Sequence, residues 1–351
     1  MRLISVLFLS VSLVSCKKEK PQVDILADVL KNGTVVLCEG LFQQNNSSLS
    51  WIDNNSMSSS NNLFVSKSGR HLGDTGNDIK RYGSKVYVIV NVSSTIEVID
   101  ATTFTSIKQI SMQNGGISKQ PRNIEFYDGS AYVTCYDGYV DVIDTISLEV
   151  TERIAVGLNP EDLTISGSKL YVSNSGGLNT PVMDSTVSII DLNSNTEIKK
   201  LTVGLNPSRC ITDNEGNVYI VSRGNYADIP SRMIKINVTS DVVESTFDFE
   251  VSGITKMNDK FLISYYDFSS NQSSLGLFDP VLDAIINYYF IDVSFLSTIY
   301  GVAYNSYSNT IFISDAMGFV NSGYVYEYTT SGTLVSRFNV GLNPSKFLFY
   351  E

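Results

Sequence analysis

The chain contains a single histidine, His71, and that scarcity bounds its chemistry. Metal-dependent hydrolases and lyases need clustered histidine and carboxylate ligands, which one imidazole cannot supply. A Ser-His-Asp triad would have to recruit His71, yet no Gly-x-Ser-x-Gly elbow occurs. His71 lies in Gly69-Arg-His-Leu-Gly-Asp-Thr-Gly76, which reads as a tight glycine-rich connection. Asp213-Asn-Glu-Gly-Asn217 looks superficially like a calcium loop, but it lacks the full ligand spacing, so a hairpin turn is expected. There is no phosphate loop and no Cys-x-x-Cys. No catalytic residue, metal or cofactor is assigned, and a carboxylate-only metal site is the one route left to a hydrolase or lyase.

Residue types suited to recognition are plentiful instead. One set consists of polar pairs that follow a turn: Asn77-Asp78, Arg122-Asn123, Glu161-Asp162, Ser208-Arg209 and Ser345-Lys346. A second set lies in longer loops: Phe42-Gln-Gln-Asn-Asn46, Tyr136, Arg223-Gly-Asn-Tyr226, Tyr265-Tyr266 and Met317-Gly-Phe319. Aromatics, amides and arginines on converging loops make a ligand-binding surface. For the polar pairs, solvated turns and packing between repeats are an equal alternative. For the aromatics recognition is favoured, because exposed loop aromatics cost solubility unless covered. The long loop Asn174-Ser-Gly-Gly-Leu-Asn-Thr-Pro-Val-Met-Asp184 is expected to form a flap beside them.

The elements that must position these loops are repeats. Val-Gly-Leu-Asn-Pro occurs at Val156–Pro160, Val203–Pro207 and Val340–Pro344. A second marker, a short alternating strand ending in aspartate, recurs as Leu49-Ser-Trp-Ile-Asp53, Ile96-Glu-Val-Ile-Asp100, Val140-Asp-Val-Ile-Asp144, Val187-Ser-Ile-Ile-Asp191 and Leu275-Gly-Leu-Phe-Asp279. Met233-Ile-Lys-Ile-Asn237 and Tyr324-Val-Tyr-Glu-Tyr328 are degenerate copies, so seven markers stand 42 to 49 residues apart. In the third repeat, Asn123–Tyr127, Ala131–Cys135, Tyr139–Ile143 and Val150–Ile154 read as four strands separated by turns. Four short strands per repeat predict an all-β, seven-bladed β-propeller of antiparallel blades. No segment after the first fifteen residues carries a helical period. Only Thr34–Cys38 precedes the first marker and one strand, Lys346–Tyr350, follows the last turn, so the two chain ends are expected to pair and close the ring. In such a ring both loop sets open on one face, the polar pairs beside the central channel.

Residues 1–15 combine Arg2, an apolar run from Leu3 to Leu13 and small residues, the form of a secretory signal too short to remain as a membrane span. Leu13-Val14-Ser15-Cys16 resembles a bacterial lipobox, which implies acylation of Cys16 and membrane anchoring through the lipid, with residues 16–31 as a tether and the propeller spanning 32–351. Without residues 1–15 the chain has 24 Lys+Arg against 36 Asp+Glu, a balance that disfavours nucleic acid and anionic lipid surfaces. Cys38, Cys135 and Cys210 fall in strands of different repeats, and buried free thiols are expected.

The strand Leu170-Tyr-Val-Ser-Asn174, the Val-x-Ile-Ile-Asp marker and Val-Gly-Leu-Asn-Pro together resemble the YncE-like seven-bladed propeller family. Leu72-Gly-Asp-Thr-Gly-Asn-Asp-Ile79, Glu39-Gly40 and Leu49–Asp53 look like the subgroup found in surface and periplasmic lipoproteins of Bacteroidetes. The resemblance covers the chain after the signal. Some members of that subgroup capture cobalamin, so the resemblance implies a corrinoid ligand; the converging aromatic and amide loops with the lipobox equally suit another small-molecule ligand or a glycan, on a monomeric propeller anchored to the outer membrane. Cys16 is followed by Lys17-Lys-Glu-Lys20 rather than an acidic export motif, which leaves the surface or periplasmic leaflet open. A scaffold for an envelope protein partner is the alternative function.

Overall fold

The computed structural model describes residues 29–267 and 272–351. The expected signal, Cys16 and most of the tether lie outside the described residues. Seven four-stranded antiparallel sheets form the blades of a propeller. The third blade runs from the inside outward as Pro121–Tyr127, Ser130–Cys135, Tyr139–Asp144 and Val150–Ala155. The first blade takes its innermost strand from the far end of the sequence: Pro344–Tyr350 pairs with Gly33–Cys38, with Val36 opposite Phe347. That pairing closes the ring and covers an edge that would otherwise present unpaired backbone groups. No helix among the described residues is long and apolar enough to cross a membrane.

The burial of each strand follows from its place in a blade. Second strands such as Lys85–Val90 and Val218–Ser222 face a neighbouring blade on both sides, so they read as nearly unbroken apolar runs and are almost wholly buried. Outer strands such as Ser106–Ser111 and Thr196–Thr202 are largely exposed. The core is accordingly split into layers between blades. Tyr87, Ile89 and Val98 of the second blade pack on Ile124, Ala131 and Val133 of the third, and Tyr219 and Val221 of the fifth pack on Phe261 and Phe278 of the sixth.

Both sequence markers have a local cause. The marker strands are the third strands of all seven blades. The terminal aspartate accepts backbone N–H groups two and three residues on: Asp100 Oδ1 from Thr102 (3.0 Å) and Thr103 (2.8 Å), and Asp144 Oδ1 from Ile146 (3.1 Å) and Ser147 (2.6 Å). An Asx turn therefore starts the connection to the outer strand. In Val-Gly-Leu-Asn-Pro the asparagine is left-handed each time, with φ of 41° at Asn159, 57° at Asn206 and 55° at Asn343. Its carbonyl and that of the preceding leucine receive the first two N–H groups of the loop after the second strand of the same blade. Asn159 takes Ser175 (3.1 Å), Asn206 takes Arg223 (2.9 Å) and Asn343 takes Glu39 (2.9 Å), while Leu158, Leu205 and Leu342 take Gly176, Gly224 and Gly40. Those glycines are required, because Gly40 has φ +80° and a Cβ there would lie 2.4 Å from Asn46 Oδ1.

Among the described residues two short elements depart from the expectation of no helix, one of them a single 3-10 turn at Met317–Phe319. Leu63–Ser68 forms a single short helix after the outer strand of the first blade, burying Leu63 and Phe64. Six residues are too few to display a helical period, which is why the sequence pattern does not reveal it.

Candidate ligand-binding site at the channel mouth

The residues after each inter-blade turn begin the inner strands, so they line the top of the central channel. Some of them stitch neighbouring blades together. Asp78 Oδ2 accepts from Ile124 N at 3.1 Å, and Asp162 Oδ2 accepts from Cys210 N at 3.2 Å, the same bond made one blade pair apart. Asn77 Nδ2 donates to Arg122 O at 2.6 Å, and Asn123 Nδ2 donates to Glu161 O at 2.7 Å. Ser208 is fully buried and donates to Val221 O at 3.2 Å. The Asp78, Asp162, Asn77 and Asn123 bonds fix the spacing of the ring, whereas the Ser208 bond lies within the fifth blade.

Arg122 and Glu161 form a buried ion pair across the third and fourth blades, Nη2 to Oε1 at 2.6 Å. Arg122 also stacks on the Tyr136 ring at 4.6 Å, and the Tyr136 hydroxyl donates to Glu161 Oε2. Burial works against the Glu161 carboxylate, but the charges of Arg122 and Arg223 and its two hydrogen bonds overcome that, holding its pKa at about 2. Tyr136 is pushed well above the usual phenol range by burial and by Glu161, so it remains a donor.

Glu39, at the start of the first blade's loop, accepts from Tyr300 of the seventh blade's inner strand at 2.5 Å. Burial pushes the Glu39 carboxyl up, and the Tyr300 bond and the charges of Arg122, Arg209 and Lys346 offset this only in part. Arg209 reaches Asp162 only at 4.0 Å, and Lys346 stands 3.6 Å from Asp78 Oδ1. The Arg223 side chain is half-buried, and its charge acts on Glu161 and Tyr136.

An aromatic rim surrounds these charges. Phe42 and Tyr226 are about 70% exposed, at 68% and 71%, and Phe319 packs edge-on against Tyr300 with centroids 5.4 Å apart. Asn206 Nδ2 donates to the Tyr226 hydroxyl at 3.2 Å. Tyr265 and Tyr266 lie near the end of the second strand of the sixth blade, Lys260–Asp267, and the Tyr265 hydroxyl donates to Tyr288 O of the outer strand at 2.5 Å, which directs it away from the inner strand. The long loop at 174–184 lies on the same face, where Asn179 Nδ2 (2.8 Å) and Leu178 N (3.3 Å) both bond Asn159 Oδ1. Below the mouth a cavity of about 370 Å³ is bounded by the inner strands of the seventh, first and second blades, with Asp78, Lys80, Val302, Lys346 and Phe347 in its wall.

Glu39 and Tyr300 are the members of the site that sequence reasoning does not single out. Glu39-Gly40 is legible in retrospect as the counterpart of Arg223-Gly224 and Ser175-Gly176 after a second strand. Tyr300 follows Leu296-Ser-Thr-Ile299 with no proline to mark the turn.

The features set aside in the sequence take ordinary roles. Asp213 caps its own hairpin, accepting from Glu215 N at 2.9 Å, Asn217 N at 2.8 Å and Asn217 Nδ2 at 3.0 Å. His71 is exposed in the connection between the first two blades. Cys38, Cys135 and Cys210 are free thiols, and burial pushes Cys38 up to about 11. No group of three or more His, Cys, Asp or Glu among the described residues is placed to hold a metal ion.

Solved propellers share this architecture at low sequence identity. A quinonprotein alcohol dehydrogenase-like protein from Bacteroides thetaiotaomicron has a TM-score of 0.67 at 14% identity, over 92% of this chain and 79% of that one. Hydrazine synthase from Kuenenia stuttgartiensis has a TM-score of 0.61 at 15% identity, over 75% and 85%. Dihydro-heme d1 dehydrogenase NirN has a TM-score of 0.56 at 12% identity, over 90% and 75%. At such identities the likeness is one of fold alone. No curated protein matches the sequence. Residues 32–349 match the family described as domain of unknown function DUF5074, and the chain belongs to that family.

Proposed function

We propose that this chain is a lipid-anchored binding propeller of the cell envelope, one that holds a small molecule at its channel mouth and performs no chemistry on it. The observation that carries this reading is the convergence of Arg122, Arg209, Arg223, Lys346, Glu39 and Tyr300 on one mouth, beneath the exposed rings of Phe42, Tyr226 and Phe319. Partly buried charged groups above a cavity, ringed by aromatics, are the makings of a small-molecule site. The lipobox at Leu13–Cys16 supports anchoring to the outer membrane, the YncE-like resemblance supports a corrinoid as the ligand class, and the aromatic loops admit a glycan. Calorimetric titration of the propeller with cobalamin, haem and a glycan panel tests it. One saturable, equimolar ligand is the expected result, and no heat with any of them overturns the reading.

A second reading, a scaffold for an envelope protein, is favoured by a different surface. The outer strand Ala284–Ile291 exposes Ile286, Tyr288 and Tyr289, with Phe295 nearby. Outer strands leave one backbone edge unpaired, and apolar side chains there suit a protein contact. Recovery of a stoichiometric partner from detergent-solubilised membranes, lost when Tyr288 and Tyr289 are changed to serine, supports this role. A solitary monomer argues against it.

A further inference from the structure

We propose that the mouth recognises its ligand through an anionic group, a carboxylate or a phosphate, taken up by Arg209 and Lys346 with Arg223 as a third cation. This rests on the small-molecule reading above and narrows it to a chemical class.

The carboxylates of the mouth already have partners, and its cations do not to the same degree. Among the mouth carboxylates, Glu161 is occupied by Arg122 and Tyr136 and Glu39 accepts from Tyr300. Asp78 accepts from Ile79 N and Ile124 N, and Asp162 accepts from Leu163 N and Cys210 N. The cations are not matched in the same way. Arg209 has its nearest carboxylate at 4.0 Å, outside hydrogen-bond range. Lys346 donates one long hydrogen bond to Asn123 Oδ1 at 3.5 Å and pairs with Asp78 only at 3.6 Å. Among the described residues Arg223 forms no ion pair within 4.0 Å, its charge acting on Glu161 from farther off, and the buried Arg122 Nε has no hydrogen-bond partner. A guanidinium offers five donors and an ammonium three, so most of the donor capacity here is unused.

The contrast with the rest of the chain sharpens this. Carboxylates outnumber cations 36 to 25, and several cations elsewhere meet one at close range, although Arg232 reaches the exposed Asp248 only at 3.7 Å. Lys119 meets Asp141 at 2.6 Å, Lys169 meets Asp241 at 2.6 Å and Arg70 meets Glu97 at 2.7 Å. At the mouth, side chains of like charge converge from opposite arcs of the ring with only 31% and 27% of Arg209 and Lys346 exposed. Burial, with Arg209 adding to it, pulls the Lys346 ammonium down despite the nearby Asp78. An anion placed between them relieves that repulsion and fills the vacant donors. The adjoining cavity of about 370 Å³ sets Lys80, Arg81 and Lys346, with the single carboxylate Asp78, beside Val302 and Phe347, so it admits an anion that carries an apolar body.

Calorimetric titration of the intact propeller with inorganic phosphate, and separately with benzoate, distinguishes a phosphoryl from a carboxylate ligand group. Saturable equimolar binding of at least one is expected, weakening with added salt. Arg209→Met and Lys346→Met should each weaken it about tenfold or more, whereas Lys108→Met on an outer strand should not change it. If a Met variant misfolds by circular dichroism, the Gln variant at the same position serves. No saturable binding of either anion, or equal loss in Lys108→Met, overturns the proposal. A corrinoid or glycan that binds with an affinity untouched by Arg209→Met, Lys346→Met and saturating phosphate also overturns it, while leaving the small-molecule reading standing. Phosphate or benzoate binding that depends on Arg209, with no response to corrinoid, haem or glycan, supports the anion site and removes those ligand classes.

Discussion

The Tyr300 hydroxyl donates to Glu39 Oε2 at 2.5 Å, joining the seventh blade's inner strand to the first blade's loop directly over the channel. The two residues come from opposite ends of the sequence, so this bond exists only when the ring is closed. Burial and the Glu39 charge keep the Tyr300 proton in place far above neutral pH.

Glu39→Gln keeps an acceptor for Tyr300 but removes the carboxyl. Because burial raises the folded pKa of Glu39 above its unfolded value, the folded state loses stability as pH rises through that folded value. The variant should therefore be more stable than the parent at pH 8, and the two should converge below about pH 4. Urea midpoints at both pH values check this, and a pH-independent difference argues against it.

Glu161 has the opposite sign. Its pKa is depressed to about 2, so its stabilisation is complete above the unfolded value and is lost as pH falls through about 2. Glu161→Gln should cost about 3 kcal/mol at pH 7, both from that shift and from the buried Arg122 left unpaired. The loss should shrink steadily between about pH 4.5 and pH 2. Denaturant unfolding at pH 7 and pH 3 measures it.

Two glycines with similar backbone angles should respond differently to alanine. Gly40 (φ +80°) would bring a Cβ to 2.4 Å from Asn46 Oδ1 and 2.7 Å from Ser47 N, whereas Gly129 (φ +79°) has open space around it. Gly129→Ala carries only the left-handed backbone penalty, about 1–2 kcal/mol. Gly40→Ala adds a steric clash at the loop that carries Glu39 and should exceed about 3 kcal/mol. Equal thermal shifts for the two would contradict this account.

Deleting the strand Pro344–Tyr350 should abolish the single cooperative unfolding transition. The buried strand Gly33–Cys38 then presents a bare apolar edge, and soluble aggregates are expected on size-exclusion chromatography. A synthetic peptide of residues 344–351 added during refolding should restore the monomer.

The fold was legible because its turns are chemically specific. Asp53, Asp100, Asp144, Asp191 and Asp279 all cap the same turn, so one residue type recurs at the end of five third strands, with Asn237 capping a sixth. The left-handed asparagines and following prolines mark three of the inter-blade bends. The site was only partly legible. Arg122, Tyr136 and Glu161 stood out by position and type, but their joint ion pair and ring stack depend on how one blade is set against the next, which no local pattern encodes. Asn77, Asp78 and Asn123 look the same in sequence as recognition residues, and only their bonds to the adjoining strand distinguish them as ring spacers. Tyr300 is not marked because its bend lacks the proline present at Pro160, Pro207 and Pro344.

Closure by the strand at Pro344–Tyr350 also fixes a timetable. A chain emerging from a ribosome or a translocation pore can pair the strands of the second to seventh blades in sequence order, each hairpin forming from neighbours already released. The first blade cannot. Gly33–Cys38 emerges ahead of every other strand of the ring, and its inner partner emerges after all of them. Until then the exposed edge of Gly33–Cys38 has to be kept from pairing with other chains, so the interval between first and last strand is the period in which newly made protein is most open to capture by a holdase or to loss by aggregation.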